Sequence, residues 1–136
     1  SYMKHVRRSD CPISFALDLF GDRWSLLILR DLIFKDKVYY QDFANSEEGI
    51  STNILAERLG RLKAAGLIKS NPDRENARKI IYVPTSKALD LIPLILEIID
   101  WSAKHDPKTG APKEFIKLLK KDRKALARQI RAKFEK

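Results

Sequence analysis

The chain has 136 residues, 44% hydrophobic and 33% charged, and is expected to form one globular domain with a modest core. Its formal net charge of +9 points to an anionic partner, yet twelve Lys/Arg stand against four Asp/Glu from Lys104 to Lys136, so the rest of the chain is almost neutral. No uncharged apolar run approaches the roughly 20 residues of a membrane span, no signal-peptide pattern opens the chain, and the single cysteine excludes an internal disulfide framework; a cytoplasmic location is expected.

Ser9-Asp10-Cys11-Pro12 offers a cap with proline near the first helical turn. Ile13 to Phe20 continues as a short apolar helix that Gly21 stops. Asp22 caps a second helix, Arg23 to about Phe34, whose Trp24, Leu27, Ile28 and Leu32 keep helical spacing and place it at the centre of the core. Val38-Tyr39 reads as a brief strand, Tyr40 to Asn45 as a short helix with Phe43 inward, and Ser46 to Gly49 as a turn. Ser51 then caps a helix to Ala65. Leu55, Leu59 and Leu62 form its buried stripe, and Gly66 ends it as a left-handed residue. Its outer face, Asn53, Glu57, Gly60 and Ala64 flanked by Thr52, Ala56 and Arg61, carries small and hydrogen-bonding side chains, so it can approach base edges closely.

Leu67 to Ser70 and Lys79 to Val83 have strand composition, and the segment between them has turn chemistry with a basic tip. Two short helices followed by such a hairpin predict a mainly α fold with a small β wing (α+β), a winged helix-turn-helix. Thr85 caps a long helix, Ser86 to about Lys104. It is apolar except along Asp90, Pro93, Glu97 and Asp100, and Pro93 either kinks it or delays its start. Such a helix needs a partner on one side, and homodimerisation through Leu91, Ile95, Ile98 and Trp101 is the economical reading. A linker, 105–112, leads to a basic amphipathic helix with Phe115, Leu118, Leu119, Leu126 and Ile130 on one stripe. Lys117, Lys120, Lys121, Lys124, Arg128 and Arg131 lie opposite. That helix reads as a solvated cover, as a phosphate-contacting arm, or, least suitably, as a membrane-surface element. The expected division is residues 1–104 for DNA binding and dimerisation and 105–136 for linker and tail.

The run Cys11-Pro12, Gly21-Asp22-Arg23-Trp24-Ser25-Leu26-Leu27-Ile28-Leu29-Arg30-Asp31-Leu32, Phe43, Gly49-Ile50-Ser51, Leu55, Arg58-Leu59, Leu62, Gly66-Leu67, Tyr82 and Thr85 resembles the HxlR-type winged helix regulators, relatives of the MarR type. The resemblance covers about residues 9 to 104. It implies a homodimeric transcription regulator, expected to repress, that binds a two-fold symmetric operator in double-stranded DNA and dimerises through its first and last family helices, adding Ile13 and Leu17 to the interface. Ala88 stands where the pattern favours Gly, Arg78 where the wing favours Pro, and Asn53 near a common basic position, which leaves operator sequence and wing shape open.

Candidate DNA contacts are Ser51, Thr52, Asn53 and Arg58 on the helix and Arg74, Arg78 and Lys79 on the wing. Asn can pair with adenine and Arg with guanine or phosphate, while capping is the rival role for Ser51 and an internal salt bridge for Arg58. Cys11, at a helix N-terminus with Arg7 and Arg8 close in sequence, is a candidate sensor because dipole and charge favour a reactive thiolate; the resemblance adds that several members use this cysteine to sense oxidants or electrophiles. A small apolar residue at the interface is the alternative. His5 and His105 sit at segment ends, and neither metal-ligand spacing, phosphate loop nor nucleophile–base pair is recognisable, so neither an enzyme nor a cofactor is expected. The competing function is a dimeric winged helix protein-interaction module without specific DNA reading.

Overall fold

The computed structural model describes residues 7–135; His5, with the rest of residues 1–6, and Lys136 lie outside the described residues. The chain divides into two compact units, one up to Ala88 and one from Leu89.

In the first unit, α1 spans Pro12–Phe20, with Pro12 in the first turn, where a missing N–H costs nothing. The Gly21 N–H donates to Leu17 O at 2.8 Å, and a Cβ on Gly21 would lie 2.5 Å from that oxygen, so the chain must turn here on glycine. α2, Ser25–Phe34, begins two residues later than expected. The Asp22 carboxylate accepts the Trp24 and Ser25 N–H groups, both at 3.0 Å, and thereby caps it. α2 carries the centre of the core, with Ile28, Leu29, Leu32 and Ile33 buried.

α3, Tyr40–Ala44, turns Phe43 inward. α4 follows as Thr52–Ala64 with Ser51 as N-cap, its Oγ accepting the Ile54 N–H at 3.3 Å. Leu55, Leu59 and Leu62 are its buried stripe. Gly66, at φ +75°, closes a Schellman motif in which Leu67 N–H donates to Leu62 O and Gly66 N–H to Lys63 O. β1, Ile68–Pro72, pairs antiparallel with β2, Ile80–Pro84, in the register Ser70 to Tyr82. The brief strand expected at Val38-Tyr39 is a single bridge, Tyr39 to Ile81.

The helix expected over Ser86–Lys104 is instead two. α5 covers Ser86–Leu89, where the Thr85 hydroxyl accepts the Ala88 N–H at 3.3 Å, and α6 covers Ile92–His105 with Pro93 in its first turn. Proline has no N–H for a preceding turn and clashes with its carbonyl, so a new helix begins here. The tail also breaks. α7, Lys113–Lys121, stops at Asp122, which leaves helical backbone (φ −158°, ψ 87°) and caps α8, Arg123–Ala132, by accepting the Ala125 N–H at 3.0 Å. α6, α7 and α8 pack on one another, burying Ile92, Leu96, Leu119 and Leu126. The tail of 105–136 thus folds with α6, which the sequence assigned to the 1–104 segment.

Candidate nucleic-acid interface

Two ion-pair clamps hold α4 and the turn before it. Arg58, expected among the DNA contacts, points inward instead: its Nε donates to Asp22 Oδ2 at 2.8 Å and its guanidinium also meets Glu57. The same carboxylate that starts α2 therefore anchors α4 across 36 residues of chain. Burial pushes the Asp22 carboxyl up, but hydrogen bonds from Ser25, Arg58 and the Trp24 and Ser25 amides outweigh it and hold it below the ordinary carboxylate range.

The second clamp was not legible from periodicity. Arg30 on α2 makes a fork with Glu48 at 2.7 and 2.8 Å and donates from Nε to Asp31 Oδ1 at 2.9 Å. Asp31, only 2% exposed, also accepts the Ser46 hydroxyl and lies 3.6 Å from Lys37 Nζ. Arg30 holds Glu48 down to about 2. The turn Ser46–Gly49 is thus fastened to α2. One signal was available: a charged pair, Arg30-Asp31, inside an apolar helix.

With these held, the exposed surface of α4 is Ser51, Thr52, Asn53 and Ala56, then Lys63 and Ala64. Tyr40 on α3 donates its hydroxyl to Thr52 O at 3.0 Å, fixing the first turn. Ser51 keeps its capping role. Glu57, the one acid on the outer face, lies between Arg58 and Arg61, the latter at 2.8 Å. Partial burial raises its pKa, the two arginines more than reverse this, and its charge is balanced locally.

On the wing, Arg74 and Arg78 are exposed and form no ion pair among the described residues. Lys79 leans back, its Nζ 4.9 Å from the Tyr39 ring centroid, and Tyr39 donates to Asp73 Oδ2 at 2.6 Å. The wing base is therefore tied to the strand bridge, while its tip is free to meet phosphate. Cys11 is exposed at the N-cap of α1. Arg7 donates to Ser9 O at 3.2 Å and lies 3.6 Å from Asp10.

Of the expected dimer residues, Ile13 and Leu17 are 69% and 58% exposed on α1, and Ile98 and Trp101 are exposed on α6. Leu91 is half-buried. Ile95 is 6% exposed and belongs to the core of its own chain, because the other side of α6 is the one left open; Leu94 is exposed there instead.

A three-helix body, a capped outward helix and a hairpin wing define a winged helix-turn-helix protein. The family model for HxlR-like helix-turn-helix proteins matches residues 19–109, and the chain belongs to that family of transcriptional regulators. An HTH-type transcriptional regulator of Halalkalibacterium halodurans is 27% identical over 96 residues, 71% of this chain and 85% of the relative. YdeP of Bacillus subtilis, another such regulator, is 29% identical over 95 residues, 70% and 73% of the two chains. Among solved structures, a candidate transcription factor, PA1607, superposes with TM-score 0.70 at 31% identity, covering 78% of this chain and 74% of that one. Quinone-bound YodB from B. subtilis superposes with TM-score 0.57 at 27% identity, covering 69% and 99%. These relatives are regulators rather than enzymes. Among the described residues no helix is long and apolar enough to cross a membrane.

Proposed function

We propose that the chain is a cytoplasmic, homodimeric repressor that reads a two-fold symmetric operator in double-stranded DNA. The observation that carries this is the α4 surface: Thr52, Asn53 and Ala56 face outward from a helix that Arg58 ties at its middle to Asp22 and whose preceding turn Glu48 ties to α2, so small side chains meet base edges from a rigid mount. Two such helices on a dimer address successive major grooves about 34 Å apart. Selection of bound duplexes from a random pool tests the reading, and enrichment of one inverted repeat is expected. Asn53→Ala should then cost about 1–3 kcal/mol at one base-pair position of each half-site and relax selectivity there. No enrichment of any sequence would leave the protein-interaction module.

The wing supplies phosphate contacts in this reading. Arg78→Ala with Lys79→Ala should weaken binding to all sequences alike and flatten the slope of log K against log salt by about 0.9 for each phosphate no longer neutralised. An equal slope in the double variant would count against phosphate contacts from Arg78 and Lys79.

Cys11 is the proposed sensor. Its exposure, its place at the start of α1 and the likeness to YodB, solved with quinone and after diamide treatment, support this. As the one cysteine of these 136 residues it can bond to the Cys11 of a second copy, to a small thiol or to an electrophile. Diamide should lower operator affinity of the wild type by tenfold or more and leave Cys11→Ser unaffected, measured by titration before and after treatment. Equal affinities in the wild type would dispose of the switch.

A further inference from the structure

The basic tail is built into the fold, and the way it is built sorts its cations into two sets. Arg123 meets Glu97 and Asp100 on α6, the latter at 2.5 Å, and Arg131 meets Asp90 at 2.8 Å. These three acids are the polar line of the α6 segment. Two arginines, eight residues apart on α8, pair with it and run antiparallel to it. The second set takes no part in these pairs. Lys120, Lys121, Lys124 and Arg128 are all exposed and form no ion pair among the described residues. Lys124 and Arg128 stand one helical turn apart, where side chains are neighbours on one face. Asp122, between the two pairs, spends its carboxylate capping α8.

The acids of this line are thus charge-balanced by arginine, and four exposed cations within nine residues are left without an ion pair among the described residues. A membrane is a poor occupant, because an interfacial helix needs an unburied apolar face. Here Leu119 and Leu126 are buried, and Leu118, at 51%, is the one large apolar side chain of the tail left exposed among the described residues. A dense polyanion with evenly spaced charges fits better, and the duplex carries one charge per about 1.7 Å of axis.

We propose that Lys120, Lys121, Lys124 and Arg128 form a second, sequence-independent DNA surface that grips phosphates beside the operator. This rests on the reading of the chain as a duplex-binding regulator, and it lies outside the segment 19–109 that the family model matches. The test uses the full chain and a variant with all four changed to Gln, which breaks no ion pair. Affinities are measured across a salt series for a short duplex bearing only the selected operator and for a longer one with flanking arms. On the longer duplex the variant should lose tenfold or more in affinity and its salt slope should fall by about 3–4, with operator preference over a scrambled sequence kept. On the short duplex the two proteins should agree. An unchanged slope on the longer duplex overturns the proposal, as does a variant that instead loses binding to anionic lipid vesicles. A wild-type chain without preference for any duplex sequence overturns the regulator reading, while a shallower slope in the variant still upholds the tail surface.

Discussion

Replacing Asp31 by alanine is expected to destabilise the first unit by about 2–4 kcal/mol, because it removes the carboxylate that accepts from Arg30 and Ser46 and pairs with Lys37 in a site 2% exposed. Arg30 Nε, the Ser46 hydroxyl and Lys37 Nζ all turn to this carboxylate. Breaking a fully buried pair costs about 3–5 kcal/mol, but Arg30 and Lys37 are 22% and 26% exposed and water relieves part of the loss. Arg30 also keeps its fork to Glu48. Arg30 holds the Glu48 carboxyl down to about 2 against an ordinary 4.5, so the contribution of the pair is full above 4.5 and falls away as pH drops toward 2. Chemical denaturation at neutral pH with an unchanged m-value measures the effect; a shift below about 0.5 kcal/mol, the range of ordinary surface changes, would refute it. Operator binding should suffer further under conditions where the variant is still folded. The Ser46 anchor sets the turn before α4, and loosening it blurs the aim of Asn53.

What the sequence made legible was local. Ser51 as cap, the Leu55, Leu59 and Leu62 stripe, the left-handed Gly66 and the hairpin each follow from neighbours within a few residues, and the winged helix-turn-helix could be assembled from them. The clamps could not, since Asp22 and Arg58 are 36 residues apart and Arg30 and Glu48 are 18 apart. Spacing shows that a charge interrupts an apolar face without showing which charge answers it. Asp122 had the chemistry of a cap, but apolar residues on either side continued the helical rhythm through it, so one helix was expected where two form. Ile95 went to the wrong side for a related reason. α6 is apolar on most of its circumference, and its own sequence does not decide which side turns inward; packing against α7 and α8 buries Ile92, Ile95 and Leu96, and Arg123 of α8 pairs with Glu97 and Asp100.

The open sides of α1 and α6 carry the largest expected functional effect. Leu17→Asp combined with Trp101→Asp should give a folded monomer whose operator affinity falls by about a thousandfold or more, since a monomer engages one half-site alone. Both side chains are well exposed in the single chain, at 58% and 64%, so the substitutions remove little intrachain packing beyond the stacking of Trp101 on His105 at 4.9 Å. Ile13, Phe15, Leu94 and Ile98 are exposed as well, and each large apolar group covered on association contributes on the order of 1.5–3 kcal/mol before the entropy of association is subtracted. A carboxylate placed among them must be desolvated at a cost of several kcal/mol. Two per subunit therefore shift the monomer–dimer equilibrium well past the micromolar range. Sedimentation velocity with circular dichroism separates dissociation from unfolding: an unchanged helical signal with a halved mass is the expected result. Ile95→Asp supplies the contrast, because that residue is buried in its own chain and its loss should unfold the second unit. A wild-type chain that sediments as a monomer at tens of micromolar, or a double Asp variant that remains dimeric, would show that these apolar faces do not join two copies, and the two-fold operator would lose its physical basis.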